Sequence, residues 1–138
     1  ENMTSKDQTK ITKSTYTKII SGRLNGISDS DDKLYNEFVK DVRLKQLKPS
    51  VIVEYKRIAL TYPVSDVRVT FDSEVRSGMY NYNLFDKKLT TFSVLNPNKV
   101  ILEVKFNEFL PEHISLILST VPSFRQAVSK FALCRSIK

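Results

Sequence analysis

Three segments of this chain alternate charged and apolar side chains with a period of two, and that period fixes much of what the chain can fold into. In Val67-Arg68-Val69-Thr70-Phe71-Asp72 the alternation is strict. Successive side chains of a strand point to opposite faces, so Val67, Val69 and Phe71 share one face and Arg68, Thr70 and Asp72 the other. In Val100-Ile101-Leu102-Glu103-Val104-Lys105-Phe106, the residues Ile101, Glu103 and Lys105 oppose Leu102, Val104 and Phe106. A long run of β-formers over residues 51–62 places Val53, Tyr55 and Arg57 on one face. The gap between this run and Val67 is four residues, short enough to predict an antiparallel hairpin. An antiparallel sheet that aligns these faces brings Arg57, Arg68, Glu103 and Lys105 onto one surface. Pattern alone leaves two readings open. One is a charged interior that holds a highly charged ligand. The other is a set of half-solvated strands, which is the commoner fate of an alternating sequence.

The flanks supply the rest of the fold class. Residues 1–9 are polar and read as a tail or loop. Residues 10–20 are rich in Thr and Ile and predict a strand. Ser28-Asp29-Ser30-Asp31-Asp32 offers several helix caps, and a helix through about Lys45 follows, with Leu34, Phe38, Val39 and Val42 as its apolar stripe. Residues 79–85 and 90–94 predict weaker strands. Beyond Phe106 the period changes. Pro111 suits the first turn of a helix whose buried stripe is Ile114, Ile117, Leu118 and Val121. Pro122 ends that helix, and Ser123 is placed to cap a last one with Phe124, Ala127, Val128, Phe131 and Leu133 as core candidates. The order predicts an α+β fold, with residues 1–138 as a single domain.

Charge narrows the chemistry. Twenty-two Lys and Arg against fifteen Asp and Glu give a net charge of +7, which favours anionic partners. A single cysteine, Cys134, precludes an internal disulfide and fits a reducing, cytoplasmic setting; beside Phe131 and Leu133 it reads as a small buried hydrophobe. A single histidine, His113, argues against His-rich metal sites and His-dependent triads, and its place at a helix start reads as surface. Three glycines leave little room for a glycine-rich phosphate loop. No apolar run approaches the length of a membrane-spanning helix. The aromatic residues are scattered and no nucleic-acid motif appears, so nucleic acid is not favoured. Arginine grips phosphate oxygens through paired N–H donors, and lysine adds a compact charge. A carboxylate among such cations repels phosphate, and makes sense if it holds a divalent metal that bridges to phosphate oxygens. Phosphoryl transfer rests on positioning and charge stabilisation, so the lack of a His or Cys nucleophile is no obstacle.

Four short motifs, Tyr55-Lys56-Arg57, Val67-Arg68-Val69-Thr70-Phe71-Asp72, Ile101-Leu102-Glu103-Val104-Lys105 and Ser129-Lys130-Phe131, occur in an order that resembles the VTC domain, the catalytic domain of the vacuolar transporter chaperone complex and its bacterial relatives. Phe109-Leu110-Pro111 and Cys134-Arg135 look like the bacterial branch. The resemblance covers residues 49–135 well and residues 10–48 loosely. It is similar in turn to the triphosphate tunnel metalloenzymes, and so implies an antiparallel β-barrel forming a tunnel with flanking helices. The activity it implies is polyphosphate synthesis from ATP with Mn²⁺ or Mg²⁺. Carried over, Arg57, Arg68, Glu103 and Lys130 would be catalytic. Arg57, Arg68, Lys105 and Lys130 would hold ATP, triphosphate or polyphosphate, with Lys13 and Arg76 as looser matches, and Glu103 would be the metal ligand. Triphosphate hydrolysis, or binding of polyphosphate or nucleotide without catalysis, are the alternatives. The basic strands and catalytic lysine that the family carries further upstream have no match here. The chain therefore reads as the C-terminal two-thirds of such a domain, an incomplete barrel completed by a separate segment or a second copy. The parent would be membrane-associated only through other parts.

Overall fold

The computed structural model describes residues 7–78 and 81–136. Two compact units divide the chain, one up to Ser50 and one from Val51 onward.

The first unit is helical. Helix α1 (Lys13–Ile20) stands where a strand was expected. Thr12, in extended backbone, caps it by accepting the Thr15 N–H at 3.1 Å. Residues four apart share a helix face, and this one carries Thr15 and Ile19. The Thr15 hydroxyl lies 3.2 Å from the Tyr35 phenol. Ile19 packs with Leu24 against a core of Ile27, Tyr35 and Val39. These contacts, available only to a helix, override the β-propensity of the Thr and Ile residues. Helix α2 (Lys33–Leu44) follows its cap Asp32, whose carboxylate accepts from Leu34 and Tyr35 N–H at 2.9 and 3.2 Å. Its buried face is Tyr35, Val39 and Val42. Phe38, expected in that stripe, is exposed.

The second unit is built on strand β2 (Val67–Gly78), which runs well past the predicted Asp72. Strand β1 (Ile52–Tyr62) lies antiparallel along one side of it. On the other side are β4 (Ile101–Lys105) at one end and the two-residue β3 (Phe92–Ser93) at the other. The hairpin is as expected, with Tyr62 paired to Val67. Ser65 at its tip accepts the N–H groups of Glu108 and Phe109, both at 2.9 Å, which fixes the exit from β4. Outer edges of β1 and β4 carry no further strand among the described residues. The α+β class is therefore correct, but the sheet is open rather than a closed tunnel.

One bulge resets β2. Glu54 pairs with Arg76 but Lys56 with Ser73, so β2 has an extra residue there. Glu74 absorbs it with a φ of 50°, a left-handed conformation. Beyond the bulge Ser77, opposite Val53, returns to the face that carries Asp72. Residues 81–85 form turns instead of a strand: the Asn81 and Asn83 side chains accept from the N–H groups of Asn83 and Phe85 at 2.9 and 3.1 Å, a local alternative to sheet pairing. Residues 79 and 80 of that expected strand lie outside the described residues, as do 1–6 of the expected tail.

Helix α3 (Glu112–Ser119) starts after Pro111 as expected, yet it buries no residue, and Ile117 and Val121 are exposed. Helix α4 (Lys130–Arg135) begins later than expected. Ser129, not Ser123, caps it by accepting the Ala132 N–H at 3.2 Å; Phe124 and Val128 precede it in irregular, exposed chain. The Ser77 hydroxyl donates to the Cys134 carbonyl at 2.8 Å, tying α4 to the Asp72 face of β2. Val75, Ser77, Asp72 and Cys134 are all fully buried.

Candidate functional site

Register decides which charges meet. Arg57, Asp72 and Ile101 form one row across β1, β2 and β4; Ala59, Thr70 and Glu103 form the next; Thr61, Arg68 and Lys105 form a third. Directly opposed residues share a sheet face. Arg57, Arg68, Thr70, Asp72, Glu103 and Lys105 therefore occupy one surface, as the alternation predicted. From Arg68 to Asp72 this surface runs about 13 Å, at the usual strand rise. The opposite face carries Ile58, Leu60, Val69, Phe71, Leu102 and Val104.

Asp72 organises one end. Its side chain is fully buried. Arg57 Nε and Nη donate to its two oxygens at 2.6 and 2.7 Å, a bidentate fork. Lys130 Nζ approaches from α4 at 2.8 Å. The Arg57 hydrogen bonds, opposed by burial and helped by Lys130, pull the Asp72 pKa down to about 2. The same bonds raise that of Arg57. Tyr55 completes this end: the Arg57 guanidinium carbon and Lys130 Nζ each lie 5.2 Å from its ring centroid, within cation–π range.

The other end is looser. Lys105 Nζ meets Glu103 Oε1 at 2.9 Å, with both side chains substantially exposed. Glu103 has a lowered pKa, chiefly through that hydrogen bond, with Lys130 and Arg57 adding their charge. Arg68 is exposed and stands outside the ion pairs that engage Arg57, Lys105 and Lys130. Between the two ends Thr70 is 3 % exposed, and its hydroxyl has no hydrogen-bond partner. Four cations face two carboxylates, so the surface is net +2.

Two expected residues fall elsewhere. Arg76 lies beyond the bulge on the opposite face. Its guanidinium donates to the Thr91 hydroxyl at 2.7 Å and to the Thr91 carbonyl at 2.5 Å, while Glu54 sits 3.9 Å away. Lys13 opens α1 in the other unit, where it lines a shallow depression with Lys18 and Arg23. Two residues were missed. Asp72 was placed on the charged face without a role, although its period-two position was the signal. Tyr55 was placed on the Arg57 face and in a motif, likewise without a role.

For a divalent metal the described residues hold no group of three His, Cys, Asp or Glu side chains. Both Asp72 oxygens are engaged by cations. Glu103 is the other carboxylate of this face, paired with Lys105 through Oε1. A single carboxylate fits a magnesium-type ion whose remaining ligands are water or ligand oxygens, and does not fit an all-protein cage. His113 is exposed, its ring edge-on to Tyr62 at 5.3 Å. Cys134 is buried as expected, and burial raises its thiol pKa. No helix among the described residues is long and apolar enough to cross a membrane.

The family model described as VTC domain matches residues 1–137. The match thus includes the N-terminal region, to which the sequence motifs connected only loosely. No curated protein and no solved structure matches the chain.

Proposed function

The chain belongs to the VTC domain family, and from that premise we propose that it is a polyphosphate polymerase-type domain, transferring the terminal phosphoryl group of ATP to a growing polyphosphate chain. The observation that carries this reading is the single sheet face that gathers Arg57, Arg68, Glu103 and Lys105, with Lys130 reaching it from α4. A row of cations along about 13 Å of strand suits a linear polyanion better than a compact one.

In the transfer, the bond between the γ-phosphorus and the β,γ-bridging oxygen of ATP breaks. The electron pair leaves on that oxygen with ADP. A terminal oxygen of the polyphosphate forms the new bond to phosphorus. Arg68 and Lys105 bind equatorial phosphate oxygens, where charge is spread in the transition state. Arg57 and Lys130 hold the adjoining phosphates, with Asp72 keeping both cations oriented. Glu103 would hold Mn²⁺ or Mg²⁺, which when bound neutralises charge on the transferred group.

The test is polymer formation by the protein given ATP and Mn²⁺, followed on gels, with Glu103→Ala as control. Polymer from wild type and its loss in the variant are expected. No polymer and no effect of the variant would sink the proposal. A second reading, polyphosphate or nucleotide binding without transfer, is favoured by the single available carboxylate. It is supported if Arg57 and Arg68 are needed for binding while metal and Glu103 are not.

A further inference from the structure

A buried hydroxyl without a partner is uncommon, because leaving a polar group unpaired away from water costs stability. Thr70 Oγ1 is such a group, and it sits in the middle row of the charged face. Its cross-strand neighbour on one side is Ala59, which has no polar side-chain atom, and on the other Glu103. Opposed side chains in an antiparallel pair lie about 4.5–5.5 Å apart at Cβ, within reach of a hydrogen bond from a hydroxyl to a carboxylate. Glu103 does not take that bond. It turns along its own strand to Lys105, two residues on.

That ion pair is exposed on both sides, the kind of contact that contributes little and exchanges easily. A bound phosphate competes with Glu103 for Lys105. We propose, resting on the reading of this face as a phosphate site, that Thr70 is the positioning residue for Glu103: when a phosphate chain draws Lys105 away, the released carboxylate turns to accept the Thr70 hydroxyl. Ligand binding thereby completes a hydrogen bond that the free protein leaves unmade. The bond also aims the carboxylate at the phosphates, where it can take a metal ion. A hydroxyl that served only packing would gain nothing from ligand.

The experiment measures inorganic triphosphate binding to the 138-residue chain by calorimetry, with and without Mg²⁺, alongside thermal melts without ligand. The variants are Thr70→Val, which keeps shape but removes the hydroxyl, Thr70→Ser, which keeps the hydroxyl, and Glu103→Gln. Thr70→Val is expected to melt at or above wild type, since it removes an unpaired buried group. It is expected to bind triphosphate about tenfold more weakly with Mg²⁺, the worth of one hydrogen bond to a charged acceptor. Thr70→Ser restores binding. In the Glu103→Gln background the Thr70→Val effect shrinks, because the two act through one contact. Equal binding by Thr70→Val and wild type overturns the inference, as does an equal loss in Thr70→Ser or full additivity with Glu103→Gln. If wild type and Arg57→Ala alike bind no triphosphate, the phosphate reading of the face fails first. Should Thr70→Val not fold, Thr70→Ala is measured against the same expectations.

Discussion

Asp72 shows how one residue can serve stability and site together. It is fully buried with Arg57 and Lys130 on its oxygens, and its carboxyl is held at about 2 against an ordinary 3.8. A depressed carboxylate contributes stability above its unfolded pKa and loses that contribution as pH falls through the folded one. Urea melts should therefore show a loss between about pH 4 and pH 2 worth roughly 1–2 kcal/mol, reduced from the full linkage because Arg57 is partly exposed. Asp72→Asn should flatten that part of the profile. It should also destabilise the chain by about 3 kcal/mol at neutral pH, since two cations lose their counter-charge. Arg68 should behave in the opposite way. Exposed and outside those ion pairs, Arg68→Ala should leave the melt within about 0.5 kcal/mol of wild type yet weaken triphosphate binding and lower its salt dependence. The sequence placed Arg57, Arg68, Glu103 and Lys105 together because the period of a strand fixes a face whatever the fold around it. It could not reveal that Lys130 joins Arg57 on the Asp72 carboxylate. That depends on α4 crossing the face, a contact between residues far apart in the chain.

At the scale of elements, legibility followed the strength of local pattern. The hairpin of β1 and β2 and the strand β4 were legible because alternation and a short turn both specified them. Helix α1 was misread as a strand because Thr and Ile favour sheets locally. The Thr12 cap is local, but the Tyr35 contact that fixes the helix depends on α2. The start of α4 was missed by several residues: Ser123 and Ser129 are equal as caps on paper, and docking through Ser77 and Asp72 goes with the second. Ser129→Ala should cost about 1 kcal/mol. It should also weaken triphosphate binding, since Lys130 is the first residue of that helix. Circular dichroism melts and calorimetry would read the two effects. In β2, Glu74 holds a left-handed backbone with only an exposed ion pair to Lys56 as compensation. Glu74→Gly should therefore raise stability slightly, or leave it unchanged within about 1 kcal/mol, where glycine in an ordinary strand position would lower it. A clear loss in thermal melts would contradict this account of the bulge.

The unit from Val51 onward is an open sheet; one face gathers Arg57, Arg68, Asp72, Glu103 and Lys105, and the other is apolar between Ile58 and Leu60 on β1 and across to Leu102 and Val104 on β4. Ile58 and Leu60 on β1 are 65 % and 57 % exposed, along an edge that carries no further strand among the described residues. Long, apolar, unpaired edges promote association. Light scattering of the isolated chain should rise with concentration, and Leu60→Lys should suppress the rise without changing triphosphate affinity, since Leu60 faces away from the cations. On the charged face, Asp72 is a fixed internal anion: it is fully buried, and its oxygens are engaged by Arg57 and Lys130. Two positive charges set against one negative leave that end of the face net positive. The fold therefore holds two like charges side by side with no outside help, their mutual repulsion offset from within.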